Sequence, residues 1–75
     1  MKTLDRITSN AGVMGGKPCI RGLRVTVANV LRLLAAGHSR ERILQAYPYL
    51  EGKDIDACLE FAALAADYED LALAV

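Results

Sequence analysis

Residues 12–25, GVMGGKPCIRGLRV, place four glycines and three cations, Lys17, Arg21 and Arg24, within one short stretch. Glycine-rich basic loops can cradle phosphate, because free backbone N–H groups and a Lys converge on the anion. A Walker-type loop requires a Gly, four residues, then Gly-Lys-Ser/Thr. Here the Gly16-Lys17 pair has Ala11 at the required upstream position and Pro18 after it. Pro18 has no N–H to offer, so the match fails twice. Gly12, Gly15, Gly16 and Gly22 do not fit dinucleotide spacing either. The glycines read as turn formers, and the cations as a solvated or nucleic-acid-facing rim.

Other chemistry is equally sparse. Cys19, His38 and Cys58 are the thiol and imidazole groups, and none has a partner at the short spacing that makes a zinc motif specific. No metal and no cofactor are expected. His38, directly after Gly37, reads as solvated or bonded to helix-terminal carbonyls, and Cys58 as small core filler. No Ser, His and acid recur at a spacing that suggests a nucleophilic triad. The carboxylates of the C-terminal half read as solvated charge rather than a catalytic pair. A binding protein is expected, not an enzyme.

The elements that position these residues follow from hydrophobic period. The period changes from two to 3.6 near Val27. Leu23, Val25 and Val27 alternate with Arg24 and Thr26, which predicts a short strand. Cys19-Ile20 would pair with it across a tight turn at Arg21-Gly22, and TLDRIT would add a third strand. Thr26 is placed as the N-cap of a first helix, in which Val27, Val30, Leu31 and Leu34 form one face and Gly37 supplies the C′ residue. Ser39 caps a second helix with Glu41 in its first turn, and Pro48 stops it at Tyr47. A third helix begins near Lys53 and runs at least to Tyr68. It carries two apolar stripes: Ile55, Leu59, Ala62 and Ala66 on one side, and Ala57, Phe61, Leu64, Tyr68 and Leu71 on the other. Asp56, Glu60 and Asp67 form an acidic ridge between them.

The expected architecture is one small, mainly α domain over 1–75. Residues 1–25 form a basic β/loop segment and 26–75 the helical part. At 75 residues, with 53% hydrophobic but only 5% aromatic residues, the core is thin, and self-association would support it. The second stripe, Phe61, Leu64, Tyr68 and Leu71, is the expected dimer or partner interface. Two cysteines are too few for a disulfide framework, MKTLDRIT lacks a signal-peptide apolar region, and the longest apolar stretch, FAALAA, is too short to span a bilayer. A cytoplasmic protein without membrane contact is expected.

The formal net charge is zero, which conceals a division. Residues 1–42 hold eight cations against two carboxylates, and residues 43–75 one cation against seven carboxylates. Such asymmetry implies an anionic partner for one half and a cationic partner for the other, or halves that face each other. The stretch GHSRERILQAYPYLEGKDIDACLEFA reads as a helix-turn-helix. Arg40, Arg42 and Arg32 could hold phosphates, with Arg21 and Arg24 from the N-terminal segment. Asp54, Asp56 and Glu60, however, lie on the second helix where DNA contacts would be made, and carboxylates there are repelled by the DNA backbone.

The blocks GGKPCIRG, AAGHS and YPYL, in this order within RITSNAGVMGGKPCIRGLRVTV and LLAAGHSRERILQAYPYLEGKDIDACLEFA, resemble the domain of unknown function (DUF) 433 family, small bacterial proteins regarded as VapB-like antitoxins. The resemblance covers about Arg6 to Ala66, with Gly22-Leu23-Arg24 where the family usually has Gly-Thr-Arg. It implies a homeodomain-like three-helix fold with a short N-terminal β segment. It also implies a PIN-like ribonuclease as partner; an arginine could block the clustered carboxylates of such a site, and on that chemistry, not on the resemblance, Arg21 and Arg24 are the toxin-binding candidates. The corresponding function is an antitoxin that neutralises this toxin and binds operator DNA; the other reading is a structural or adaptor homodimer with no nucleic-acid role.

Overall fold

The computed structural model describes residues 2–67. A 3₁₀ turn, Lys2–Arg6, leads into β1, Ile7–Thr8; a loop containing a second 3₁₀ turn, Met14–Gly16, leads to β2, Cys19–Ile20. Three helices follow: α1, Val27–Ala35; α2, Arg40–Ala46; and α3, Gly52–Ala66. The fold is mainly helical, with one two-stranded antiparallel sheet in which Ile7 faces Ile20 and Thr8 faces Cys19.

The sheet partner of β2 is therefore β1, and the expected pairing of Cys19-Ile20 with the Leu23–Val27 segment is met only in part. The tight turn does form: Arg21 and Gly22 both have positive φ, +46° and +71°, and the Leu23 N–H donates to the Ile20 carbonyl at 2.7 Å. Positive φ at both central positions is the requirement of the hairpin turn whose twist matches the strands. Beyond the turn the returning chain makes only a single bridge, Thr26 opposite Cys19. Two further bonds, from the Ile20 N–H to Val25 O and from the Val27 N–H to Pro18 O, guide it into α1. Val25 and Val27 are buried because they enter the helical core, not because they line a sheet. Of TLDRIT, only the final Ile-Thr is extended.

The helix ends follow their caps. The Thr26 hydroxyl accepts from the Asn29 N–H at 3.0 Å, and Ser39 Oγ from the Arg42 N–H at 3.1 Å. At the end of α1, Gly37 has φ +93°, its N–H donates to Leu34 O, and the His38 N–H reaches back to Leu33 O. This pair of bonds satisfies carbonyls that the helix leaves open. Ile20, Val25, Val27, Val30, Ile43, Leu50, Ile55 and Cys58 make the core.

The two-stripe reading of α3 changes. Asp54, Ile55, Ala57 and Cys58 are buried on one broad face, while Leu59, assigned to the core stripe, is 46% exposed. The wide face arises because α3 is flanked on both sides, by α1 and α2 and by the N-terminal 3₁₀ turn. Tyr68 and Leu71 lie outside the described residues. No helix among the described residues is long and apolar enough to cross a membrane.

Candidate functional site

The most charged point of the interior is Asp54, at the third position of α3. Its side chain is fully buried, and four donors converge on it. Oδ1 accepts from Arg6 Nη1 at 2.9 Å and Arg21 Nε at 3.1 Å; Oδ2 accepts from Arg21 Nη2 at 2.9 Å and the Glu51 N–H at 2.8 Å. Arg21 Nη2 also donates to the Tyr49 carbonyl, and Arg6 Nη1 to Glu51 Oε1. The clamp ties three segments together: the N-terminal turn, the β2 turn and the start of α3. It also accounts for Arg21 in a left-handed conformation that L-residues rarely adopt. Its N–H is held by Arg6 O at 2.7 Å, while its guanidinium is fixed on Asp54.

Burial by itself would push the Asp54 carboxyl up. The Arg21 hydrogen bonds, the Glu51 N–H and Arg6 outweigh it and hold the carboxyl below the usual carboxylate range. Hydrogen bonds to Glu51 and then Asp54 raise Arg6, and those to Asp54 raise Arg21. One turn further along α3, burial pushes the Cys58 thiol up to about 11, with a smaller contribution from the Asp54 charge. Cys58 is thus a protonated thiol at neutral pH. Cys19 is also buried, and its Sγ lies 3.2 Å from Lys17 O. Among the described residues, no three His, Cys, Asp or Glu side chains gather as a metal site would require.

The glycine-rich loop bonds to itself. The Gly12 N–H donates to Asn10 Oδ1, the Val13 N–H to Asn10 O, the Gly16 N–H to Val13 O and the Lys17 N–H to Met14 O. Those N–H groups are unavailable to an anion.

The charge division is in part an internal match. Arg6 and Arg21 meet Glu51 and Asp54, and Arg40 pairs with Asp56 at 2.9 Å while donating to Gly52 O. Arg24, Arg32 and Arg42 are exposed and make no ion pair among the described residues. They sit in the loop before α1, on α1 and on α2, whereas Arg21 and Arg40, the other two arginines singled out from the sequence, are engaged by acids of α3. Arg42 and His38 border a small apolar crevice of about 230 Å³ formed by Leu33, Ile43, Ala46 and Tyr47.

Pattern reading did not single out Asp54 and Arg6 as members of one buried ion-pair cluster. One signal was present: Asp54 shares a helix face with Cys58, Phe61 and Ala65, so a carboxylate stood on an apolar arc.

Phe61 and Leu64 do lie together. They continue the buried face of α3 past Cys58 and, with Ala65, form one wall of an open groove of about 410 Å³; Leu4, Ile7, Thr8, Ser9 and Pro18 line the rest. Leu64 is 43% exposed.

The family model described as "Protein of unknown function (DUF433)" matches residues 7–62. The chain belongs to the DUF433 family. The matched span contains both strands, all of α1 and α2, Arg21 and Asp54, whereas Arg6 immediately precedes it. An uncharacterized protein of Sinorhizobium fredii, y4eO, is 47% identical over 49 residues, which make up 65% of this chain and 22% of that protein. The DUF433 chain thus spans about a fifth of the length of this relative. No solved structure matches the chain.

Proposed function

We propose that this DUF433 protein is a binding protein and not a catalyst: the antitoxin of a type II toxin–antitoxin pair, with a PIN-like ribonuclease as its partner. The observation that carries the reading is the apolar groove beside Phe61 and Leu64, which leaves part of the α3 core face open in a domain with little core to spare. The resemblance to VapB-like antitoxins supports the class of partner. Arg24 is an exposed cation able to pair with the carboxylates of a nuclease, whereas Arg21 would first have to leave Asp54.

The succession α1–α2–α3 is consistent with a homeodomain-like helix-turn-helix, and operator binding belongs to the same proposal. α3 is a poor reading helix, because Asp56 and Glu60 lie along it. Arg24, Arg32 and Arg42 are the better phosphate contacts. The exposed Leu59 and Leu64 also favour a second reading, a homodimeric adaptor without a nucleic-acid role.

Co-expression with an adjacent PIN-like coding sequence tests the proposal. The neighbour alone should arrest growth and degrade RNA, and this chain should restore growth and co-purify with it. Failure of the wild-type chain to rescue overturns the antitoxin reading. A stable dimer that neither rescues nor binds DNA establishes the adaptor instead.

A further inference from the structure

We propose that the groove between α3 and the N-terminal segment receives an amphipathic segment of a protein partner whose apolar side chains are flanked by Lys or Arg. This rests on the reading of the chain as a partner-binding protein, and it names what the partner must present.

The position of the groove supplies the apolar half of the argument. α3 buries Ile55, Ala57 and Cys58 against its own chain. Phe61, Leu64 and Ala65 continue that face into the groove, where Leu4, Ile7 and Pro18, with the hydroxyl residues Thr8 and Ser9, form the opposite side. A segment laid there would extend the core rather than cover a separate patch.

The rim supplies the charge. Glu60 and Asp67 stand four residues before and three residues after Leu64, so both are its neighbours on the helix surface. Asp5, next to Leu4 in sequence, is also exposed. None of the three acids makes an ion pair among the described residues. Two cations adjoin lining residues in sequence, Arg6 and Lys17; Arg6 is turned to Glu51 and Asp54, which leaves Lys17. An apolar groove with an acidic margin is complementary to a cationic amphipathic segment. A second copy fits less well, because an antiparallel two-fold contact centred on Leu64 would bring Glu60 of each copy close to Asp67 of the other. A protein that handles RNA has basic surface to present.

The test uses the full-length chain and two synthetic peptides of one apolar pattern, a Leu/Lys amphipathic helix and a Leu/Glu helix, followed by NMR titration. The Leu/Lys peptide should shift the methyl signals of Leu4, Ile7 and Leu64 and bind about tenfold tighter than Leu/Glu at low salt, with the preference shrinking as salt rises. The Glu60→Lys/Asp67→Lys double variant, altered only at exposed or partly exposed positions, should reverse the preference. Equal binding of both peptides, no binding, or shifts confined to another surface would overturn the proposal. So would concentration-dependent broadening of the same signals without peptide, which would assign the groove to a second copy. Binding that appears only in a Leu71→Asp/Leu73→Asp variant would assign it to the chain's own C-terminal residues. Rescue in co-expression does not depend on these peptides, so the groove proposal can fail while the antitoxin reading stands.

Discussion

Replacing Asp54 by Asn keeps the shape of the side chain and removes its charge. The carboxylate uses both oxygens, each accepting two hydrogen bonds. An amide accepts at one end only, so two of the four donors must face an NH₂ group. Removing one partner of a buried ion pair costs about 3–5 kcal/mol, because a charge is left uncompensated. Here the orphaned guanidiniums of Arg6 and Arg21 are 26% and 37% exposed and can take up water, which places the expected loss near the lower end, about 3 kcal/mol. A chain of 75 residues has a total stability of roughly 4–11 kcal/mol, so this is a large fraction. The melting temperature should fall by roughly 12–24 °C.

The pH dependence supplies a second arm. Because the folded-state pKa of Asp54 is depressed, its contribution is present above the unfolded-state value of about 4 and is lost as pH falls through the folded-state value. Wild-type stability should therefore decline on acidification below about pH 5, and that of Asp54→Asn should decline less steeply. Urea denaturation followed by circular dichroism between neutral and acidic pH measures both. An Asn variant within about 1 kcal/mol of wild type, with an unchanged acid slope, would refute the clamp as a stabilising element.

At the β2 turn, Arg21→Gly should be more stable than Arg21→Ala by about 1 kcal/mol, since both lose the guanidinium but only Ala retains the left-handed penalty; thermal melts of the pair measure it. Ser39→Ala and Thr26→Ala should each cost about 1 kcal/mol by loss of an N-cap bond, and a neutral outcome for both in urea titrations would contradict the capping assignment. Cys58 should resist a thiol reagent in the native state and react once unfolded. With its folded-state pKa raised to about 11, its contribution is fully present below an unfolded-state value of about 8.5 and is lost as pH rises through the folded-state value, which alkaline denaturation should register in wild type and not in Cys58→Ala. If operator DNA is bound, Arg24→Ala, Arg32→Ala and Arg42→Ala should each lower the salt slope by about one unit where a phosphate contact is lost, and unchanged slopes in all three would remove them from the interface.

The helices were legible because their determinants are local. Thr26, Ser39, Gly37 and Pro48 act on N–H groups, carbonyls and backbone angles within a few residues of themselves, and no distant partner is needed to mark the ends of α1 and α2. Strand pairing has no such locality. Alternation at Leu23, Val25 and Val27 was real, but the same residues serve equally well as an approach to a helical core, and that β2 is flanked by Ile7–Thr8 as well as by the returning chain is decided only in three dimensions. The fate of the charges was hidden for the same reason. Sequence showed a basic half and an acidic half; that Arg6 and Arg21 converge on Asp54 across separations of 48 and 33 residues depends on the N-terminal turn, β2 and the start of α3 meeting at one point. Phe61 and Leu64 stood out as surplus apolar residues from their helical spacing alone, but the groove they wall exists only because Leu4, Ile7 and Pro18 are brought opposite them. Periodicity fixes which side of a helix is apolar, whereas the rest of the folded chain decides how much of that side is covered.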